Sequence, residues 1–598
     1  MVSKIKTVYN QIRYILNHKQ KIELIKVLLF IIFTTFVELI GVTIIFPFIE
    51  IMMNFNTVYD NEYLNLVYTL LGFSKPENFV IFISSLFIVI YVLKNIFVIF
   101  SYDFQYKFTF DNQREMAYQM LKSYLFQPYS YHLNRNSAEL ISCINNDIAM
   151  MFQAILAILG LLAEGLVCMV LGIYLLIKDP MMTLTVVGVL LIFAVVFLKL
   201  FRRYLGEIGE RKRISSQGVV KWLQQSFNGL KETSILHREE FFLNKFDEQY
   251  DVWAYLEVVY RRLQLLPKPL METLSIAAIM IAIIIKILIG TDMTSFVGTI
   301  SVFAVAAFRL LPSFNRITGY LSAISYNYPA FNAVYRELKE IENLLENNNK
   351  ILEDGCSEIS LQNEINVDKV SFKYPQGTDY VLKNVSFKIQ KNSTIAFIGP
   401  SGAGKTTLAD IILGVLEPNK GTVYIDDADA FKNLRSWQNK VGYIPQTIYL
   451  LDDTIRNNIL YGAEQDSDDI RIMNAIEKAQ LKEFIEGLPL GLDTEIGEAG
   501  MRLSGGQRQR IGIARALYND PDVLILDEAT SALDTDTEKA VMEAIDALSG
   551  SKTLIIIAHR LTTVKNCDVK YEVSNHGIRE LSNTEFDSLI KEQMNYEK

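Results

Sequence analysis

Apolar positions crowd the first part of the chain and thin out in the rest. Between residues 24 and 321 they form about six runs long enough to cross a bilayer, near 24–52, 79–102, 152–177, 181–202, 265–290 and 295–321. Only the tight turn LIKDP parts the third run from the fourth, and only GTDM parts the fifth from the sixth. Both connections are poor in Lys and Arg. The long connections 103–151 and 203–264 are rich in them, as at Arg202, Arg203, Arg211, Lys212 and Arg213 around the start of the second. The positive-inside rule therefore predicts that the N-terminus, both long connections and everything after 321 are cytoplasmic. REMAYQMLKSYLF and VVKWLQQSFNGL keep a helical period, so the spans are expected to run on as helices beyond the membrane. In the outer connection 54–77, EYLNLVYTLLGF suits either a short amphipathic helix lying on the membrane or an ordered loop.

After residue 340 the pattern changes. Residues 341–365 are polar, contain an Asn run and read as a linker. From 366 to 598, short β-branched runs (INVDKVSFKY, STIAFIG, KVGYIPQ, DVLILDE, TLIIIAH) alternate with helical stretches, which predicts an α/β domain with a largely parallel sheet. The expected organisation is an all-α six-helix membrane domain over 1–340, the linker, and this α/β domain.

Composition sharpens the division. A chain of 598 residues is too long for one core. A 50% hydrophobic content and a mean hydropathy of +0.19 are high for a soluble protein. The net charge of −9 argues against a nucleic-acid partner, which calls for a basic face. Cys143, Cys168, Cys356 and Cys567 form no CxxC pair or zinc spacing and read as structural. The first apolar run is too long for a signal-peptide core, so no cleavage is expected.

The chemistry lies in the second half. STIAFIGPSGAGKTTLADIILG reads as strand, glycine loop and helix, with GPSGAGKT at 399–406 matching the P-loop pattern. Gly399, Ser401, Gly402 and Gly404 let backbone amides turn inward on phosphates at a helix N-terminus. Lys405 should reach the terminal phosphates, with Thr406 on Mg²⁺ and Thr407 beside it. DVLILDE ends a buried strand on two carboxylates: Asp527 suits the Mg²⁺ shell, and Glu528 suits orienting or deprotonating the attacking water. These features imply only nucleotide hydrolysis, with Mg²⁺.

LSGGQRQRIGIARAL at 503–517 narrows that reading. It resembles the ATP-binding cassette (ABC) ATPases, whose signature is LSGGQ. The resemblance implies that Ser504, Gly505, Gly506 and Gln507 of one subunit close over ATP held by the P-loop of another. It also implies roles for Tyr374 (stacking on adenine), Gln446 (the Q-loop, linking Mg²⁺ and water to the membrane half), Asp534 (the D-loop) and His559 (the switch on the γ-phosphate). TEIGEAG resembles the loop that precedes the signature in ABC exporters. About six spans followed by one cassette resemble an exporter-type half-transporter, which implies a homodimer. HLNRNSAELISCINNDIAMM and QQSFNGLKETSILHREEFF resemble the two intracellular loops.

Charges interrupt the spans. Arg309 and Arg316 are seven residues apart, on one helix face either side of Pro312, which is a candidate kink. Lys94 and Lys286 interrupt two other spans. Charges at such depth line a protein cavity or snorkel to the interface; Lys286 suits snorkelling, while Lys94, Arg309 and Arg316 are candidate substrate contacts. Glu38, Glu164 and Glu272 are also embedded, as possible counter-ions. ELIGVTIIFPFIEIM, EYLNLVYTLLGF and AFRLLPSFNRI resemble bacterial (PglK-like) flippases of lipid-linked oligosaccharides. That resemblance implies an inner-membrane, multi-pass protein whose substrate is a polyprenyl-pyrophosphate glycan moved among membrane lipids. The competing expectation is an exporter of peptides, lipids or drugs on the same scaffold.

Overall fold

The structure, a computed structural model, describes residues 2–43, 48, 51–52, 58–59, 62–73, 75–178, 180–289, 293–352, 359–375, 377–463, 469–528, 535–558 and 560–596. The chain divides into two compact units. One takes in 1–127 and 135–343, the other 128–134 and 344–598.

Among the described residues, the regular structure of the first unit is all helical. It contains α1 (Val2–Ile15), α2 (His18–Thr43), α3 (Glu62–Leu70), α4 (Pro76–Leu125), α6 (Ser137–Ser142), α7 (Ile148–Lys178), α8 (Pro180–Asn228), α9 (Leu230–Leu236), α10 (Glu239–Leu265), α11 (Pro267–Ile289) and α12 (Met293–Leu352). The five-residue helix α5 (Tyr129–Leu133) belongs to the second unit. The turn between α1 and α2 is a capping box. Asn17 Oδ1 accepts from the Gln20 amide and Gln20 Oε1 from the Asn17 amide, each at 2.9 Å. Helices α2, α4, α7, α8, α11 and α12 fall on the described parts of the six apolar runs. Among the described residues, 77–125, 137–177 and 183–228 are long and apolar enough to cross a membrane. Side chains such as Ile88, Leu93 and Ile99 on α4 remain exposed, as a lipid solvent requires. The EYLNLVYTLLGF segment forms α3, whose Tyr68 packs edge-on against Tyr59 and Phe79. Helix α12 runs without interruption through Pro312 and Pro329.

Val167, Leu171 and Leu175 on α7 repeat every four residues and form one ridge. It packs with Leu190 and Ala194 of α8, Met271 and Ala278 of α11, and Leu310 and Phe314 of α12. Helices α8 and α12 approach closely at Gly209, where an added Cβ would lie 2.0 Å from the Tyr326 carbonyl oxygen. That neighbour is backbone and cannot swing away. Gly209→Ala is therefore expected to cost about 2 kcal/mol or more, seen as a lower melting temperature of the purified chain.

The second unit contains two sheets. Five parallel strands, β9 (Val569–Ser574), β3 (Thr394–Ile398), β8 (Thr553–Ile557), β7 (Val523–Asp527) and β6 (Val441–Ile444), are edged by antiparallel β10 (Gly577–Leu581). Every residue of β3, β7 and β8 is buried, as befits strands covered on both faces. The second sheet is antiparallel, in the order β2 (Leu382–Gln390), β1 (Glu364–Phe372), β4 (Lys420–Ile425) and β5 (Ala428–Asp429). The parallel sheet is the one expected from sequence. The antiparallel sheet was not foreseen, although β2 alternates buried and exposed positions along much of its length. Helices α13 (Lys405–Ile412), α14 (Ile455–Leu460) and α15 (Gly505–Leu517) frame the site described next.

Candidate nucleotide site

Strand β3 ends at Ile398, and the chain turns through the glycine loop into α13. Gly399, Gly402 and Gly404 have φ of 143°, 78° and 101°, a region that favours glycine. A Cβ on Gly399 would sit 2.3 Å from the Val573 carbonyl oxygen, whereas at Gly402 the space is open. The loop is thus tight against the sheet on one side and open on the other, with exposed Ser401 on the rim. Lys405 is 5% exposed, and its Nζ donates to the carbonyls of Gly399 and Pro400 at 2.9 and 3.0 Å. Burial lowers its pKa, against the pull of Glu528 and Asp527. Its ammonium is therefore drawn in over the loop, where it can meet a phosphate.

Strand β7 delivers both carboxylates. Asp527 is buried at the strand end, with Thr406 Oγ1 3.5 Å from its Oδ1. A hydroxyl and a carboxylate converging beside a phosphate cradle fit Mg²⁺, which takes few protein oxygens and completes its shell with phosphate and water. Glu528 has a left-handed φ of 48°, and its amide donates to the Ile557 carbonyl of β8. This departure from strand geometry turns the side chain towards the Q-loop, where Gln446 Nε2 donates to Glu528 Oε2 at 2.7 Å. The Tyr374 hydroxyl lies 3.0 Å from Thr407 Oγ1, linking the expected adenine-stacking residue to the loop's helix.

The signature begins α15 with a complete capping box. Ser504 Oγ accepts from the Gln507 amide at 3.2 Å, and Gln507 Oε1 accepts from the Ser504 amide at 2.8 Å. Ser504 thereby uses a lone pair locally and keeps its O–H for an anion. Exposed Gly505 and buried Gly506 form the first turn. Asp534 and His559 lie outside the described residues, as do Cys356 and the side chains of Arg309 and Lys286.

Sequence reading missed several residues around this site. Burial, and then Asp527, push the Asp410 carboxyl on α13 up to about 6. Burial raises the Tyr443 phenol on β6, with Asp527, Asp410 and the Tyr129 of α5 adding to it. Arg515, at the end of α15, donates to the carbonyls of Asn458 and Tyr449 at 2.8 Å and stacks 4.3 Å from the Tyr461 ring. Asn458, fully buried, in turn holds both the amide and the carbonyl of Leu451. This network ties the signature helix to the segment after the Q-loop. Its only sequence signal is an Arg at the end of a helix that otherwise buries an apolar face. Asn458→Ala would leave the Leu451 amide without its acceptor, so a stability loss of about 2 kcal/mol is expected in denaturant unfolding.

Of the candidate substrate contacts, Lys94 is buried on α4, its Nζ 4.3 Å above the Tyr91 ring. Arg316 Nε lies 2.6 Å from Glu164 Oε1, so one of the embedded acids does pair with a cation. Cys143 and Cys567 are buried, which pushes both thiols up to about 12 and leaves them unreactive.

Residues 24–308 match the family model described as the ABC transporter transmembrane region, and residues 382–531 match that of the ABC transporter. Among curated proteins, the chain is 32% identical over 452 residues to an ATP-dependent lipid A-core flippase of Desulfotalea psychrophila, covering 74% of this chain and 76% of that protein. It is 28% identical over 532 residues to the protein of the same name from Idiomarina loihiensis, covering 87% and 89%. Among solved structures, a bacterial Atm1-family ABC exporter with ATP bound has the same fold, with a TM-score of 0.74 at 21% identity, over 97% of this chain and 98% of that one.

Proposed function

We propose that this chain, which belongs to the ABC transporter family as an exporter-type half-transporter, flips a lipid-linked (polyprenyl-pyrophosphate) oligosaccharide across the bacterial inner membrane as a homodimer. That the cassette couples ATP hydrolysis to transport follows from the family. The substrate, the dimer and the cytoplasmic placement of both termini are the proposal.

The observation that carries the substrate reading is Lys94, a cation buried within the apolar run 79–102 of α4. Burying a charge in such a helix is costly and marks a pathway or a charged ligand. With Arg309 and Arg316 on one face of α12, and each cation doubled in a homodimer, a cavity lined by them would suit a pyrophosphate. Arg316 shares its charge with Glu164, which lessens what it offers a substrate. The relatives named as lipid A-core flippases favour a second reading, in which the glycolipid is of that kind.

In the cassette, Lys405 would hold the β- and γ-phosphates, and Thr406, Asp527 and Gln446 would hold Mg²⁺. When bound there, the metal ion would supply charge neutralisation on the transferred phosphoryl group. Glu528, oriented by Gln446, takes the proton from the attacking water at Oε1 or Oε2. Tyr374 stacks on adenine. Ser504, Gly505, Gly506 and Gln507 of the second subunit close the site with Asp534, and His559 contacts the γ-phosphate. Closure excludes all but the attacking water from the γ-phosphate, hydrolysis reopens the dimer, and the helices follow.

The test is flipping in proteoliposomes with three substrates: a polyprenyl-pyrophosphate glycan, a lipid A-core glycolipid and a peptide. Movement of the first and not the others supports the proposal; movement of the second alone favours the second reading. Lys94→Gln with Arg309→Gln is expected to slow flipping about tenfold or more, and to slow ATP turnover less. Equal losses would make both cations part of the scaffold.

A further inference from the structure

A second site lies in the helical unit, apart from the cations discussed above. A cavity of about 520 Å³ opens between the start of α7, the middle of α8, the end of α10 and α12. Its size is in the range of small-ligand sites. The helix that forms one wall breaks its regular winding there. Cys143–Asp147 is a π-turn, which turns Asn145, Asn146 and Asp147 into the lining. Such turns are unfavourable in isolation and concentrate at functional sites.

Two buried acceptors in the lining lack donors. The Asp147 side chain is 2% exposed; its Oδ2 lies 3.4 Å from Arg213 Nη1, but its Oδ1 accepts no hydrogen bond. Asn327, 3% exposed on α12, also has an unpartnered Oδ1. A ligand that satisfies them must donate hydrogen bonds. The cations around the cavity are already engaged. Lys212 pairs with Glu257 at 2.7 Å, Arg261 with Glu257 at 2.8 Å, and Arg213 with Glu210 at 2.9 Å. An anion would find these charges neutralised and would meet two bare acceptors. An ammonium would enter a lining with three cations against Asp147 and Glu257. Hydroxyl groups both donate and accept, and so suit a lining of carboxylates, amides and guanidinium groups. Half-buried Trp253 adds an apolar face of the kind that covers a sugar ring.

We infer that this cavity binds a neutral polyhydroxylated group of sugar type, with Asp147 and Asn327 accepting its hydroxyls and Trp253 covering its apolar face. As the place where the glycan head of a transported lipid is held, the site rests on the flippase reading above.

The experiment uses the full chain in nanodiscs, with N,N′-diacetylchitobiose as a neutral disaccharide, spermidine as a polycation and inorganic pyrophosphate as an anion. Binding is read by saturation-transfer NMR. The disaccharide is expected to bind the unmodified chain, and Asn327→Leu and Trp253→Ala each to weaken it about tenfold or more. ATP-dependent thermal stabilisation shows which variants have folded, and either folded variant suffices. No disaccharide binding, stronger binding of spermidine or pyrophosphate, or disaccharide binding unchanged in a folded variant overturns the inference. Flipping assays separate the two proposals. If the lipid-linked glycan moves at the normal rate in folded Asn327→Leu, the cavity falls and the flippase stands. If the disaccharide binds as expected but the unmodified chain moves no lipid-linked glycan, the cavity stands as a sugar site and the flippase reading falls.

Discussion

Glu528→Gln is expected to slow ATP turnover about a hundredfold to ten-thousandfold and to leave ATP affinity within about twofold. The glutamine keeps the size and planarity of the side chain. Its amide oxygen can still accept from Gln446 Nε2, which now lies 2.7 Å from Glu528 Oε2. The backbone at this position is already left-handed, held by the bond from the Glu528 amide to Ile557. The geometry should therefore survive, and only the ability to take a proton is lost. Phosphate release measured beside binding of a fluorescent ATP analogue separates the two quantities. Turnover within about threefold of normal would remove Glu528 from the role of base.

The second large effect is expected at Lys405. Lys405→Ala removes a cation that is drawn over the phosphate loop by the Gly399 and Pro400 carbonyls. Truncating one side of a buried charge pair costs about 2–5 kcal/mol, so ATP affinity should fall about thirtyfold or more. The readout is thermal. At a hundred times its dissociation constant ATP should stabilise the unmodified chain by about 2.7 kcal/mol, and at the same concentration the variant should gain little of that. The variant's melting temperature without nucleotide reports whether it has folded. Because burial lowers the Lys405 pKa, its charge is lost earlier than usual as pH rises. ATP affinity should accordingly weaken on the alkaline side before an ordinary lysine would titrate.

Much of this site could be read from the sequence because its chemistry is local. GPSGAGKT, LSGGQ and DVLILDE each place their groups within one turn or one strand end, so spacing alone predicts geometry. The parallel strands were legible for a related reason. Buried on both faces, β3, β7 and β8 are unbroken apolar runs. The antiparallel sheet was harder to read because β1 departs from regular register at Val370 and β5 is two residues long. Contacts between distant residues left almost no trace. Nothing near Asn458 in sequence announces Arg515, 57 positions away. Nothing in an apolar run tells whether an embedded arginine faces a ligand or a glutamate, and the Glu164–Arg316 pair is visible only once α7 and α12 are packed. The π-turn at Cys143–Asp147 is likewise a product of packing, since CINND would suit an ordinary helix.

Gly209 carries a consequence for movement. With backbone facing backbone at a separation that admits no methyl group, α8 and α12 mesh at that point like teeth of two gears. Sliding one past the other would press backbone on backbone at that point. The hydrogen atom that serves as the side chain of this residue is thus what lets two long rods touch there.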